Sequence, residues 1–150
     1  MLVSDIMATH IRTAKADDTI RSVAAVICTN NISGLPVVDE QNRLIGLVSE
    51  KDILNKLLPS FSDFLDDPVR SRDFVTMETA YDGVLSMTVQ TLMTQKVLSV
   101  APSDPLLQAA SRMTINKFRR MPVVDSDGIL VGIITLGDIH KAFFKKTLAK

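Results

Sequence analysis

Apolar residues at Ile20, Val23, Ala24 and Ile27 are spaced i, i+3, i+4 and i+7, and Leu106, Ala109, Ala110 and Met113 repeat that spacing. Each set predicts an amphipathic helix with one buried stripe. Asp18 and Asp104 precede the two helices at positions expected of N-caps, and Pro105 is expected at a first helical position, where proline is tolerated. Leu35 to Asp39 and Leu44 to Ser49 are short runs rich in β-branched residues around Glu40-Gln41-Asn42-Arg43, which predicts a β-hairpin. The corresponding later stretch turns at Asp127-Gly128, a favoured hairpin dipeptide. A further helical stripe follows each hairpin, through Ile53, Leu54, Leu57 and Leu58 in one place and Ile139, His140, Phe143 and Phe144 in the other, and Pro59 ends the first.

These parallels are an internal repeat. Leu35-Pro36-Val37-Val38-Asp39 recurs as Met121-Pro122-Val123-Val124-Asp125, so Pro36 maps onto Pro122 and the offset is 86 residues. The same offset relates Met7 to Met93, Asp18 to Asp104, Asn30 to Asn116, Gly46 to Gly132 and Asp52 to Asp138 without a gap. The chain therefore reads as a first repeat over 1–58, an insertion over 59–88 and a second repeat over 89–150. Each repeat is a short lead-in strand, a helix, a two-stranded hairpin and a second helix, an α+β (α/β) unit. A half of about 55 residues is marginal alone, so the halves are expected to pack on each other. Within the insertion, Ser60 to Asp67 reads as a loop and Asp73 to Val89 as a helix. An insertion of this length is functional or a lever arm.

Composition narrows the function classes. Seventeen basic residues balance seventeen acidic ones, so no global field draws in nucleic acid or an anionic membrane. Any anion site must be local. The single Cys28 closes no intrachain disulfide and is expected as a small buried apolar residue of the first helix. His10 and His140 lack partners at metal-binding spacing, which leaves them surface or capping roles. Asp63, Asp66 and Asp67 form an acidic patch that suits Mg²⁺ in principle and a solvated loop more simply. Lys141, Lys145, Lys146 and Lys150 suit the end of a C-terminal helix, with too few aromatics for nucleic-acid stacking. No basic leader with an apolar stretch and no run of about 18 apolar residues occurs, so the chain is expected to be cytoplasmic, without a membrane partner. Nothing assembles a nucleophile with a base, and no catalytic or metal residue is assigned.

Candidate chemistry sits where each hairpin runs into its second helix, through Ser49-Glu50-Lys51-Asp52 and Thr135-Leu136-Gly137-Asp138. Ser/Thr-x-x-Asp at a helix start is first a capping box. A strand feeding a helix N-terminus also leaves outward N–H groups, a ready anion site. A carboxylate beside it repels phosphate and suits a neutral diol such as a ribose. A hydroxyl and a carboxylate beside an anion site point to a nucleotide.

The hydrophobic-Pro-Val-Val-Asp strands, the endings Gly46 to Ile53 and Gly132 to Ile139, and the lead-ins Asp5-Ile6-Met7 and Thr91-Leu92-Met93 together resemble a pair of cystathionine-β-synthase (CBS) domains. The resemblance covers about two thirds of the chain and implies a pseudo-two-fold pair. It implies a ligand sensor without catalysis, whose cleft holds up to two adenosyl ligands such as AMP, ADP, ATP or S-adenosylmethionine. By resemblance each site joins the hairpin end of one repeat to the lead-in of the other. The first site then comprises Thr135 and Asp138 at the ribose and phosphate edge, Ile11, Arg12 and Thr13 around the base, Pro122 and Ile133 as apolar walls, and Met121 beside them. Arg119 and Arg120 stand where nucleotide-binding relatives carry a phosphate clamp, since charge-assisted hydrogen bonds are worth about 1.5–3 kcal/mol; a solvated basic pair at a helix end is the alternative. The second site comprises Val97, Leu98, Ser99, Gly34, Pro36, Ser49 and Asp52. It departs from the pattern because Ser33 and Gly34 replace the arginines, so it is expected to bind more weakly, to take an uncharged adenosyl ligand, or to stay empty.

The expected function is a regulatory module that senses an adenine nucleotide and passes its occupancy to an effector protein. The alternative is a ligand-free dimerising scaffold for an enzyme or transporter. Both expect a homodimer through the second helices, whose Leu54, Leu57, Leu58, Phe143 and Phe144 exceed what two small halves need.

Overall fold

The computed structural model describes residues 1–150. The chain divides into two compact units, and neither is a single repeat. The first comprises Met1–Arg12, Asp39–Leu44 and Val97–Lys150, and the second comprises Thr13–Val38 and Ile45–Lys96. The repeats have exchanged their lead-ins.

In the first unit, α1 (Val3–Ile6) leads to Ala8, which exchanges hydrogen bonds with Ile133 at 2.8 and 2.9 Å. Ile133 lies on β4 (Leu130–Thr135), which pairs antiparallel with β3 (Arg120–Val124). Val100 pairs with Val123. Two helices, α8 (Leu106–Ile115) and α9 (Leu136–Leu148), complete the unit. Its core holds Val3, Leu106, Met113, Met121, Val123, Ile134 and Ile139, each under 4% exposed. The tip of the first hairpin joins here, where Leu130 N–H donates to Asn42 O and Leu44 N–H to Gly128 O, both at 3.0 Å.

The second unit carries α2 (Ile20–Asn30), β1 (Gly34–Val38), most of β2 (Leu44–Ser49) and α3 (Glu50–Leu57). The insertion adds α4 (Phe61–Asp66), a 3₁₀ turn (Arg70–Arg72), α5 (Phe74–Thr79) and α6 (Tyr81–Leu85). Then α7 (Val89–Leu92) brings Thr94 against Leu47, with backbone hydrogen bonds of 2.8 and 2.9 Å. Ile20, Val23, Val37, Val48, Ile53 and Val89 form the centre of its core.

The exchange explains two equivalent glycines. A Cβ on Gly132 would lie 2.6 Å from Met7 Sδ and 3.1 Å from the Ala8 carbonyl. One on Gly46 would lie 2.9 Å from Met93 Sδ and 3.0 Å from the Thr94 carbonyl. Each lead-in methionine thus packs on bare backbone of the other repeat's hairpin, which no side chain larger than hydrogen permits.

Several local expectations are corrected. The lead-ins are single helical turns flanked by isolated bridging residues, not strands, because their ladder contacts are lone bridges, at Leu2 and Ala8 in one and at Thr88 and Thr94 in the other. Asp18 and Asp104 do not cap α2 and α8. Their carboxylates fold back onto Lys15 N–H at 2.8 Å and Ala101 N–H at 2.9 Å, closing the preceding turns. Thr19 caps α2, and Pro105 occupies the uncapped N-cap position of α8. Ser60 to Asp67 is largely the helix α4, because Ser60 and Asp63 form a reciprocal capping box. The helix expected over Asp73 to Val89 is broken into α5 and α6 around Ala80, followed by the first turn of α7. Cys28 is exposed on α2, off the stripe through Val23 and Ile27.

Both hairpin turns use one device. Asp125 Oδ1 accepts from Asp127 and Ile129 N–H, and Asp39 Oδ1 accepts from Gln41 and Arg43 N–H. Gly128 at φ 80° and its counterpart Asn42 at φ 63° supply the left-handed residue.

Candidate functional site

The junction of β4 and α9 organises the second-repeat site. Thr135 ends the strand and its Oγ1 accepts from Asp138 N–H at 3.0 Å, so the hydroxyl caps α9. The register sets Arg120 opposite Thr135, Met121 opposite Ile134 and Pro122 opposite Ile133. Facing residues of an antiparallel pair share a face and successive residues alternate. Arg120, Pro122, Ile133 and Thr135 therefore share one face, while Met121 and Ile134, 1% and 0% exposed, point into the core. Met121 offers the site backbone only. Its place in the sequence motif did not reveal this; the strand's alternation does.

The Arg119 carbonyl accepts from Leu136 N–H at 2.8 Å, which fastens the arginine pair to the start of α9. Both arginines are exposed, and neither takes part in an ion pair such as that of Arg21 with Asp82 at 2.9 Å. Half-buried Asp138 is fixed through its backbone, yet its carboxylate accepts no hydrogen bond from the protein. A carboxylate, a hydroxyl proton without an acceptor, two unpaired guanidiniums and a helix N-terminus thus lie at one strand end. Such a group can bind a diol and an anion together. Ile11 and Arg12 belong to this unit and follow closely on the Ala8 pairing with Ile133, whereas Thr13 opens the second unit.

The first-repeat junction has the same backbone and different chemistry. Asp52 Oδ2 accepts from Ser49 N–H at 2.9 Å and from Ser49 Oγ at 3.0 Å, and Ser49 Oγ lies 3.3 Å from Asp52 N. Thr94 Oγ1 approaches the other carboxylate oxygen at 3.5 Å. This closed capping box occupies the Asp52 carboxylate, which its counterpart Asp138 leaves open. Gly34 stands at the position of Arg120, and a Cβ there would lie 2.8 Å from the Val48 carbonyl and 3.1 Å from Ser49 Cα. Pro36 is buried in the same unit as Gly34, Ser49 and Asp52, while Val97, Leu98 and Ser99 belong to the first unit. There the Ser99 carbonyl accepts from Arg112 Nη1 at 2.7 Å.

The sequence reading missed Thr94 as a neighbour of Asp52. The resemblance had joined the second lead-in to this hairpin through Val97, Leu98 and Ser99, and the contact falls earlier on that lead-in, at Thr94. His10 and His140 are exposed, and no helix is long and apolar enough to cross a membrane. Hydrogen bonds from Ser60 hold the Asp63 carboxyl below its ordinary value of 3.8 as it caps α4.

The CBS domain profile matches residues 3–59 and 89–145. An uncharacterized protein of Methanocaldococcus jannaschii is 35% identical over 95% of this chain and 90% of its own length. The chain spans 41%, 58% and 58% of three other curated relatives. Among solved structures, CBSX2 of Arabidopsis thaliana in complex with AMP aligns with a TM-score of 0.74 and 30% identity over 97% of this chain and 98% of that one. The CBS domain pair of protein MJ0100 in complex with 5'-methylthioadenosine and S-adenosyl-L-methionine aligns at 0.69 and 26% over 97% and 98%. With both copies of the motif matched and the fold shared along nearly the whole chain, the protein belongs to the CBS domain family as a tandem pair.

Proposed function

We propose that this protein is a cytoplasmic, non-catalytic sensor that binds a phosphorylated adenosine at the second-repeat junction and reports its occupancy to an effector protein. The observation that carries this reading is the open Asp138 carboxylate beside unpaired Arg119 and Arg120, at a junction whose first-repeat counterpart is closed on itself. Asp138 would take the ribose hydroxyls, Thr135 and the two arginines the phosphate, and Ile11, Arg12 and Thr13 the base, with Pro122 and Ile133 as apolar walls. The AMP complex of CBSX2 and the adenosyl ligands of MJ0100 support the ligand class. The arginine pair favours AMP, ADP or ATP over S-adenosylmethionine, because guanidinium forks match phosphate oxygens.

The closed Ser49–Asp52 box favours a different reading of the first-repeat junction, as a helix cap that holds no nucleotide phosphate. In our reading, repeats 1–58 and 89–150 and the insertion 59–88 act as one module. The module pairs as a homodimer through the second helices, where Leu54, Leu58 and Phe144 are 50%, 49% and 57% exposed, while Leu57 and Phe143, expected on the same surface, pack against the cores of their own units.

Calorimetric titration with AMP, ADP, ATP, S-adenosylmethionine and adenosine tests the proposal on the parent and on Arg120→Ala. One phosphate-dependent site that the variant weakens about tenfold or more is expected, as loss of a charge-assisted hydrogen bond implies. Two equal phosphate-dependent sites would overturn the inequality of the junctions, and no adenosyl binding at all would leave the ligand-free scaffold as the better account.

A further inference from the structure

The insertion has no counterpart in the repeat, and with the end of α3 it lines an open cavity of about 420 Å³ whose lining residues all belong to the second unit. That volume falls within the range of small-molecule sites. Its apolar lining comes from Leu57 of α3 with Met77, Val84 and Met87 of the insertion, of which Val84 is 7% exposed and the others are half-buried. Lys56 and Arg70 stand on its lining, neither in an ion pair nor in a side-chain hydrogen bond. The one acidic lining residue, Asp73, is already engaged, accepting from Thr76 N–H at 3.2 Å and Thr76 Oγ1 at 2.7 Å as it caps α5. Those hydrogen bonds hold its carboxyl below 3.8, so it is ionised at neutral pH.

The lining therefore carries one net positive charge above an apolar wall. A dianion would leave charge unmatched and face Asp73, and a neutral apolar molecule would leave both cations unused. We propose that this cavity binds a small carboxylate monoanion on an apolar body, with the carboxylate on Arg70 and Lys56 and the body against Leu57, Met77, Val84 and Met87. A planar carboxylate matches the guanidinium fork, and the apolar body removes the half-buried methionines from water. The site is separate from the proposed nucleotide site and shares none of its residues. It does share α3 with the first-repeat junction, since Ser49 caps the start of the helix whose end supplies Lys56 and Leu57.

Gly83 makes the proposal testable. It lines the cavity on α6, and a Cβ built on it meets nothing within 4 Å, so a larger side chain enters open space. Gly83→Leu adds a bulky side chain at the lining and replaces glycine by a better helix former, so it is expected to keep the fold. The full-length chain is titrated with 4-methylpentanoate and with 4-methylpentanamide, by calorimetry and by thermal shift. Far-UV circular dichroism checks the fold of each variant. The acid is expected to bind at least tenfold more tightly than the amide, Arg70→Gln to weaken the acid about tenfold, and Gly83→Leu to abolish binding with its melting point kept or raised. Equal binding of acid and amide, parental affinity in folded Gly83→Leu, or no binding of the acid at millimolar concentration overturns the proposal.

Discussion

Replacing Asp52 and Asp138 one at a time by alanine separates a helix cap from a ligand contact at equivalent positions. Both residues lie in the first turn of a helix, so both substitutions forfeit the same interaction with the helix dipole, about 0.3–1 kcal/mol. Asp52→Ala also breaks the hydrogen bonds from Ser49 N–H at 2.9 Å and Ser49 Oγ at 3.0 Å. Losing the carboxylate half of a capping box is expected to cost about 1 kcal/mol more, leaving a half-buried N–H without its partner. Asp138→Ala breaks no protein hydrogen bond, because the contact to Thr135 Oγ1 runs from the backbone N–H, which alanine retains. For AMP the order reverses. If the Asp138 carboxylate takes the ribose hydroxyls, its loss removes about 1.5–3 kcal/mol, or about 10- to 150-fold in affinity, whereas Asp52→Ala leaves the phosphate-dependent site within about twofold. Urea denaturation gives the stabilities and calorimetry the affinities. If the two variants are equally destabilised and AMP binds both like the parent, the contrast between the junctions carries no function and the reasoning fails.

Gly34→Arg is not expected to restore a phosphate clamp in the first repeat. Its Cβ would meet the Val48 carbonyl at 2.8 Å and the backbone of Ser49 at 3.1 Å, so the variant loses about 1–3 kcal/mol of stability. A parental melting point together with a second phosphate-dependent site on calorimetry would contradict this. The caps of the insertion set an acid limit. The folded carboxyls of Asp63 and Asp73 are depressed, so their stabilisation of α4 and α5 is present above the unfolded value of 3.8 and is lost as pH falls through the lower folded values. Hydrogen exchange should show the insertion opening over that acid range, and the Asp63→Asn/Asp73→Asn pair should blunt that step; an unchanged step in the pair refutes the assignment.

The repeat, the helices and hairpins and the strand-to-helix junctions were legible in the sequence, because each rests on local periodicity and on a constant offset. Legible too was the inequality of the two junctions, since Ser33 and Gly34 stand in place of Arg119 and Arg120. Chain order does not say which of two equivalent partners a segment chooses. The lead-ins exchange hairpins, as the resemblance implied, and Met7 and Met93 pack on Gly132 and Gly46; the two Met–Gly pairs are equivalent by the repeat, so those residues by themselves do not dictate the exchange. In the same way the Thr135–Asp138 and Ser49–Asp52 motifs read alike, and only the structure shows one carboxylate closed on its own serine and the other open. Met121 and Cys28 changed places for a related reason. A motif residue faces the core or the solvent according to strand alternation and helix rotation about the core. Those angles are set by the packing of the whole unit and not by the residue's own chemistry.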